Sequence, residues 1–136
     1  MALELYQDRS LMSMLHRGCM FRGPETWFFM VQLIGACHYM HTHQVIHLDL
    51  KLDNLFLDTD MNIKVGGFGL ATLIKSPGEW KKTICGTPNY IILEMLFDTA
   101  NGRGFEVDTW SIRIIVYMFV VGRPPFQTED VKEVYQ

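Results

Sequence analysis

The chain has 136 residues, 49% hydrophobic and 20% charged, with a formal net charge of −3. That is a single-domain length, and the hydrophobic fraction excludes a disordered chain, while the slight acidity excludes an electrostatic nucleic-acid binder. Met1-Ala2-Leu3-Glu4 turns polar at once, so no secretory signal is expected, and the longest apolar run, Ile114 to Val121, is far short of the ~20 residues that span a bilayer. No membrane partner is implied.

Leu11, Met12, Met14 and Leu15 predict a short helix over about Asp8 to Leu15, with Gly18 as its stop. Pro24 then stands at a first-turn position, and Met30, Leu33, Ile34, Cys37 and Met40 recur at three and four residues. This predicts a long amphipathic helix from about Glu25 to His43. Val45-Ile46, Leu55-Phe56-Leu57 and Asn62-Ile63-Lys64-Val65 read as short strands around a polar loop, the last following the turn-like Asp58-Thr59-Asp60. From Gly66 to Pro88 there is little periodicity, as expected of a mobile surface segment. Phe105 to Val121 is apolar all round, which predicts a helix buried on every side and ended by Gly122 and Pro124-Pro125, with another helix beginning near Glu129.

Three cysteines, Cys19, Cys37 and Cys85, are widely spaced without a C-x-x-C pair, so buried or half-buried thiols in a reducing compartment are expected: an intracellular protein, cytoplasmic or nuclear. His38, His41 and His43 lie on or after the long helix without a nearby carboxylate or cysteine set, and read as surface histidines.

The segment with the most chemical content is His47-Leu48-Asp49-Leu50-Lys51-Leu52-Asp53-Asn54, followed a strand later by Gly67-Phe68-Gly69. The first resembles the protein-kinase catalytic loop H-R-D-L-x-x-x-N, and the second occupies the place of D-F-G. Cys85-Gly86-Thr87-Pro88-Asn89-Tyr90-Ile91 is similar to the end of a Ser/Thr kinase activation segment. Ile92-Leu93-Glu94 stands where the family has A-P-E, Asp108-Thr109-Trp110-Ser111 resembles the start of the helix after it, and Gly122-Arg123-Pro124-Pro125-Phe126 the loop beyond. Leu3-Glu4-Leu5, Lys81-Lys82-Thr83 and Asn54-Leu55-Phe56-Leu57 make the chain look most like a polo-like kinase.

The resemblance implies a mainly α fold with short β hairpins: a kinase C-terminal lobe, its N-terminal lobe missing, with residues 1–136 one partial kinase domain running from the hinge to the helix after Pro125. It implies ATP and Mg²⁺ as cofactors and a protein substrate or kinase-related partner. Asp49 aligns with the base that accepts a hydroxyl proton, Lys51 with the cation near the transferred phosphoryl, Thr87 with the threonine that positions both, and Asn54 with a metal ligand. Leu3, Glu4 and Tyr6 match the adenine-contacting hinge and Phe56 the residue beneath it. Thr83 matches the phosphorylated regulatory threonine, and Asp108 the carboxylate that receives catalytic-loop N–H groups. His47 and Phe68 match a packed pair supporting the site.

Two letters depart from the pattern. Gly67 stands where the main magnesium carboxylate belongs, and Leu48 where an arginine would pair with a phosphate on Thr83. The chain is therefore expected to be an impaired or inactive kinase fragment. The rival expectations are a pseudokinase-type binding module and a degraded gene product with no selected role. Arg113 replaces a small residue and is expected to place a charge inside the buried helix, at a cost that its removal would relieve.

Overall fold

The computed structural model describes residues 10–19, 21–74 and 104–125. Helix α1, Leu11–His16, starts at Ser10, whose hydroxyl accepts the Ser13 N–H at 3.1 Å. Leu11 and Leu15, one turn apart, are both buried. Helix α2, Gly23–Thr42, has Pro24 and Glu25 in its first turn, where a missing N–H costs nothing and a negative charge meets the positive helix end.

The buried stripe of α2 is Phe29, Met30, Leu33, Cys37 and Met40. Ile34, expected in that stripe, is 54% exposed, because it lies on the opposite side with Trp27 and Val31 at four- and three-residue spacing. A substantial apolar face is thus open on α2, with Trp27 72% exposed.

Two antiparallel pairs frame the polar loop. Strand β1, Val45–Ile46, pairs with β4, Thr72–Leu73, in the register Val45 opposite Leu73 and Ile46 opposite Thr72. Strand β2, Leu55–Leu57, pairs with β3, Ile63–Val65, with Phe56 opposite Lys64. In the β2–β3 turn the Asp58 carboxylate accepts the Asp60 and Asn62 N–H groups at 2.9 and 2.8 Å. The Asn62 backbone bond is the main reason its carboxyl sits below the ordinary range. The start of the Gly66–Pro88 segment is more ordered than its composition suggests: Phe68–Leu70 forms a 3₁₀ turn and Thr72–Leu73 the strand β4. Pairing with β1 overrides the weak local pattern.

Helix α3, Glu106–Val121, closes with Gly122 at φ 81°, whose N–H reaches the Met118 carbonyl at 2.8 Å. It packs on α2, and Phe119, fully buried, meets the rings of Phe21 at 4.9 Å and Phe29 at 6.2 Å. The helix is not buried on every side. Val107, Asp108, Ser111, Ile114, Ile115, Met118 and Phe119 face inward, whereas Tyr117, Val120 and Val121 are 39, 63 and 41% exposed and Arg113 is exposed among them.

Arg113 therefore reaches water, and the expected buried-charge cost is absent. Arg113→Gly should lower stability, by up to about 1 kcal/mol of helix propensity, and urea midpoints at equal slope will read the change. A higher midpoint for the glycine variant would mean that the arginine carries a cost its exposure does not reveal. No described helix is long and apolar enough to cross a membrane.

Candidate functional site

Residues 47–54 run between β1 and β2, and their shape is set by one residue far along the chain. Asp108 sits in the first turn of α3 with no exposed surface. Its Oδ2 accepts the His47 N–H and its Oδ1 the Leu48 N–H, both at 2.9 Å. Oδ2 also meets His41 Nε2 at 2.9 Å. A buried carboxylate is tolerable only with its lone pairs engaged, and here the loop's own amides engage them.

Leu48 takes φ +67°, left-handed, and its side chain is buried with Ile46, Ile74 and Val107. The position that resembles the loop's arginine thus contributes to a second small apolar cluster.

His47 is fully buried. Its Nε2 lies 2.8 Å from the Gly66 carbonyl oxygen, and its Nδ1 accepts the Asp49 N–H at 3.2 Å. These partners assign the neutral tautomer with the proton on Nε2. The Phe68 ring lies against it, tilted by 58° with 4.8 Å between centroids, so the two rings are in contact.

Asp49 is held from two sides. Asn54 Nδ2 donates to the Asp49 carbonyl at 2.8 Å and to Oδ2 at 3.1 Å, and Lys51 Nζ lies 3.2 Å from Oδ2. The three residues carried by the loop pattern therefore form one constellation. Asn54 is fixed in turn by a 3₁₀ turn, Leu52–Asn54, and by the Gly66 N–H, which reaches its carbonyl at 2.8 Å.

Gly66 leaves no room for a side chain, since a Cβ there would stand 2.9 Å from the half-buried Phe56 ring. Gly67 follows at φ 76°, and a Cβ on it would overlap the Asn54 carboxamide at all three of its terminal atoms. In this conformation Asn54 fills the space that a residue-67 side chain would take.

Leu3, Glu4, Tyr6, Thr83 and Thr87, along with Glu94 and the helix expected near Glu129, lie outside the described residues. Sequence reasoning also missed a constellation. His41, expected at the surface, is half-buried because α3 lays Asp108 against it, and Cys37 one turn earlier on α2 brings Sγ to 3.4 Å from His41 Nε2. Burial, and then the Asp108 charge, push the Cys37 thiol up to about 12. The four-residue spacing of Cys37 and His41 was visible; a carboxylate 67 positions away was not.

The protein kinase domain model matches residues 1–136. The Saccharomyces cerevisiae cell cycle serine/threonine-protein kinase CDC5/MSD2 is 47% identical over 134 residues, covering 98% of this chain and 19% of that protein. Xenopus laevis serine/threonine-protein kinase PLK1 is 50% identical and Drosophila melanogaster serine/threonine-protein kinase polo 47%, each over 133 residues, 98% of this chain and 22% and 23% of theirs. The chain spans about a fifth of the length of these relatives. It belongs to the protein kinase domain family and, within it, resembles the polo-like serine/threonine kinases along nearly all of its residues.

Proposed function

We propose that this chain corresponds to the C-terminal-lobe part of a polo-like kinase domain, residues 1–136 forming one partial domain, and that its phosphotransfer to protein serine or threonine is impaired. Family membership supports the reaction class, in which ATP-dependent transfer needs a proton acceptor, cations over the phosphates and rigid positioning. In this reading Asp49 is the proton acceptor, aimed by Asn54 and Lys51. Lys51 supplies a cation, and Thr87 completes the positioning. Leu3, Glu4, Tyr6 and Phe56 line the adenine side, and Thr83 is the regulatory threonine.

The observation that carries the impairment is the pairing of Gly67 with Asn54. Magnesium demands several oxygen ligands in near-octahedral order. Position 67 has no side chain to offer one, which leaves the Asn54 carboxamide oxygen as the single side-chain donor of these two positions, its amide nitrogen being turned to Asp49. These residues do not fit the ion, so no catalytic step is routed through it.

Loss of a group that acts as part of a catalytic unit lowers rate by several powers of ten. The purified chain is accordingly expected to phosphorylate casein no faster than its Asp49→Asn variant, with magnesium and labelled ATP supplied. Transfer by the parent chain that Asp49→Asn abolishes would overturn the reading.

A further inference from the structure

We propose that Cys37, His41 and Asp108 form a binding site for a zinc-like divalent cation directly beneath the catalytic loop. The three donors differ in kind, thiol, imidazole and carboxylate, a set that suits Zn²⁺ and that a harder cation would not choose. All three ligand atoms lie within 4.8 Å of one another. Cys37 Sγ is 3.4 Å from His41 Nε2 and 3.9 Å from Nδ1, and His41 Nε2 is 2.9 Å from Asp108 Oδ2.

Tetrahedral zinc, with bonds of about 2.3 Å to sulfur and about 2.0–2.1 Å to nitrogen and oxygen, holds its ligand atoms roughly 3.3–3.6 Å apart. The nitrogen and oxygen must separate by about half an ångström to admit the ion at those bond lengths. Rotation of the His41 ring supplies such a shift. Cys37 and His41 stand on successive turns of α2, the spacing by which one helix face offers two ligands.

The surroundings also match a metal centre. Oδ1 of Asp108 is oriented by the Leu48 N–H and Oδ2 by the His47 N–H, as ligating carboxylates are by their outer hydrogen bonds. Cys37 is 5% exposed and Asp108 is not exposed at all, while 19% of the His41 side chain is open, which makes His41 the side from which an ion would enter. On binding, the Cys37 S–H proton leaves to solvent, and sulfur donates its electron pair to the cation. His41 shifts its proton to Nδ1 and donates through Nε2. Nothing is oxidised, and one proton is released per ion. The dication offsets the repulsion between the thiolate so formed and the Asp108 carboxylate.

Cobalt(II) tests the proposal, because a cysteine thiolate on cobalt gives a near-ultraviolet charge-transfer band. In the full chain carrying Cys19→Ser and Cys85→Ser, Co²⁺ is expected to raise that band to saturation at about one equivalent, and Zn²⁺ to bleach it. Cys37→Ser should lose the band, and His41→Gln should weaken cobalt binding at least about tenfold, with helical circular dichroism unchanged in both. Absence of the band from a chain with native dichroism, or a band that survives Cys37→Ser, would overturn the site. If the serine background fails to fold, the parent chain serves. Zn²⁺ must then slow alkylation of Cys37 but not of Cys19, resolved by peptide mass, and equal alkylation with and without zinc would equally overturn it.

Discussion

Asp108→Ala is expected to cost about 3–5 kcal/mol, the sum of several buried donors each left unsatisfied at about 1–3 kcal/mol, and a large share of a small domain's stability. The side chain has no exposed surface, and its loss leaves the His47 N–H, the Leu48 N–H and the His41 ring without their acceptor. Among the described residues no other side chain accepts these two successive amides. Asp108→Asn should fall between parent and alanine. Its amide keeps one oxygen for one N–H group and turns an NH₂ toward another donor. Urea unfolding at equal slope measures both variants, and hydrogen exchange at the His47 and Leu48 amides should accelerate in each. A loss under about 1 kcal/mol for alanine would mean that the loop amides are satisfied in some other way.

Gly67→Asp, which restores the family's carboxylate, is expected to destabilise this chain by about 1–3 kcal/mol. The change puts a non-glycine residue at φ 76° and drives its Cβ into the Asn54 carboxamide. Asn54→Ala clears that space, so the cost of Gly67→Asp should shrink to the backbone strain alone, about 1 kcal/mol, in the alanine background. The double-mutant cycle should show a favourable coupling within the 0.5–3 kcal/mol spanned by contacting residues, roughly. Strict additivity would show that Asn54 moves aside freely, and that the glycine and the asparagine are not interlocked.

Much of the fold was legible in the sequence where the signal is local. Pro24 and the buried spacing of Met30, Leu33, Cys37 and Met40 belong to one helix, and hydrophobic periodicity reports such an element almost directly. The β2–β3 pair was legible for the same reason, its turn being written in Asp58-Thr59-Asp60. Asp49, Lys51 and Asn54 meet as the loop pattern implies, because five residues of chain suffice to bring them together. Legibility failed where burial is decided by distant chain. An apolar letter on α3 says nothing of which neighbour covers it, so Val120 and Arg113 were placed inside when both stand at the surface. His41 was lost for the converse reason, since what buries it arrives with α3.

The contacts that Asp108 makes span 60 and 61 residues to Leu48 and His47, and that separation bears on the order in which the molecule is built. Every letter of the catalytic pattern has been synthesised by Asn54, and the hairpin beside it can close within microseconds. The loop still lacks its anchor. Closing so long a segment carries an entropic toll that only docking of α3 on α2 offsets, so this loop is shaped late, after the helical pair has met. A nascent chain, or a cleaved one, that stops short of Asp108 carries every residue of this loop and lacks the carboxylate that holds its His47 and Leu48 amides. For this molecule, possession of the catalytic letters and possession of a catalytic loop are separate events in time.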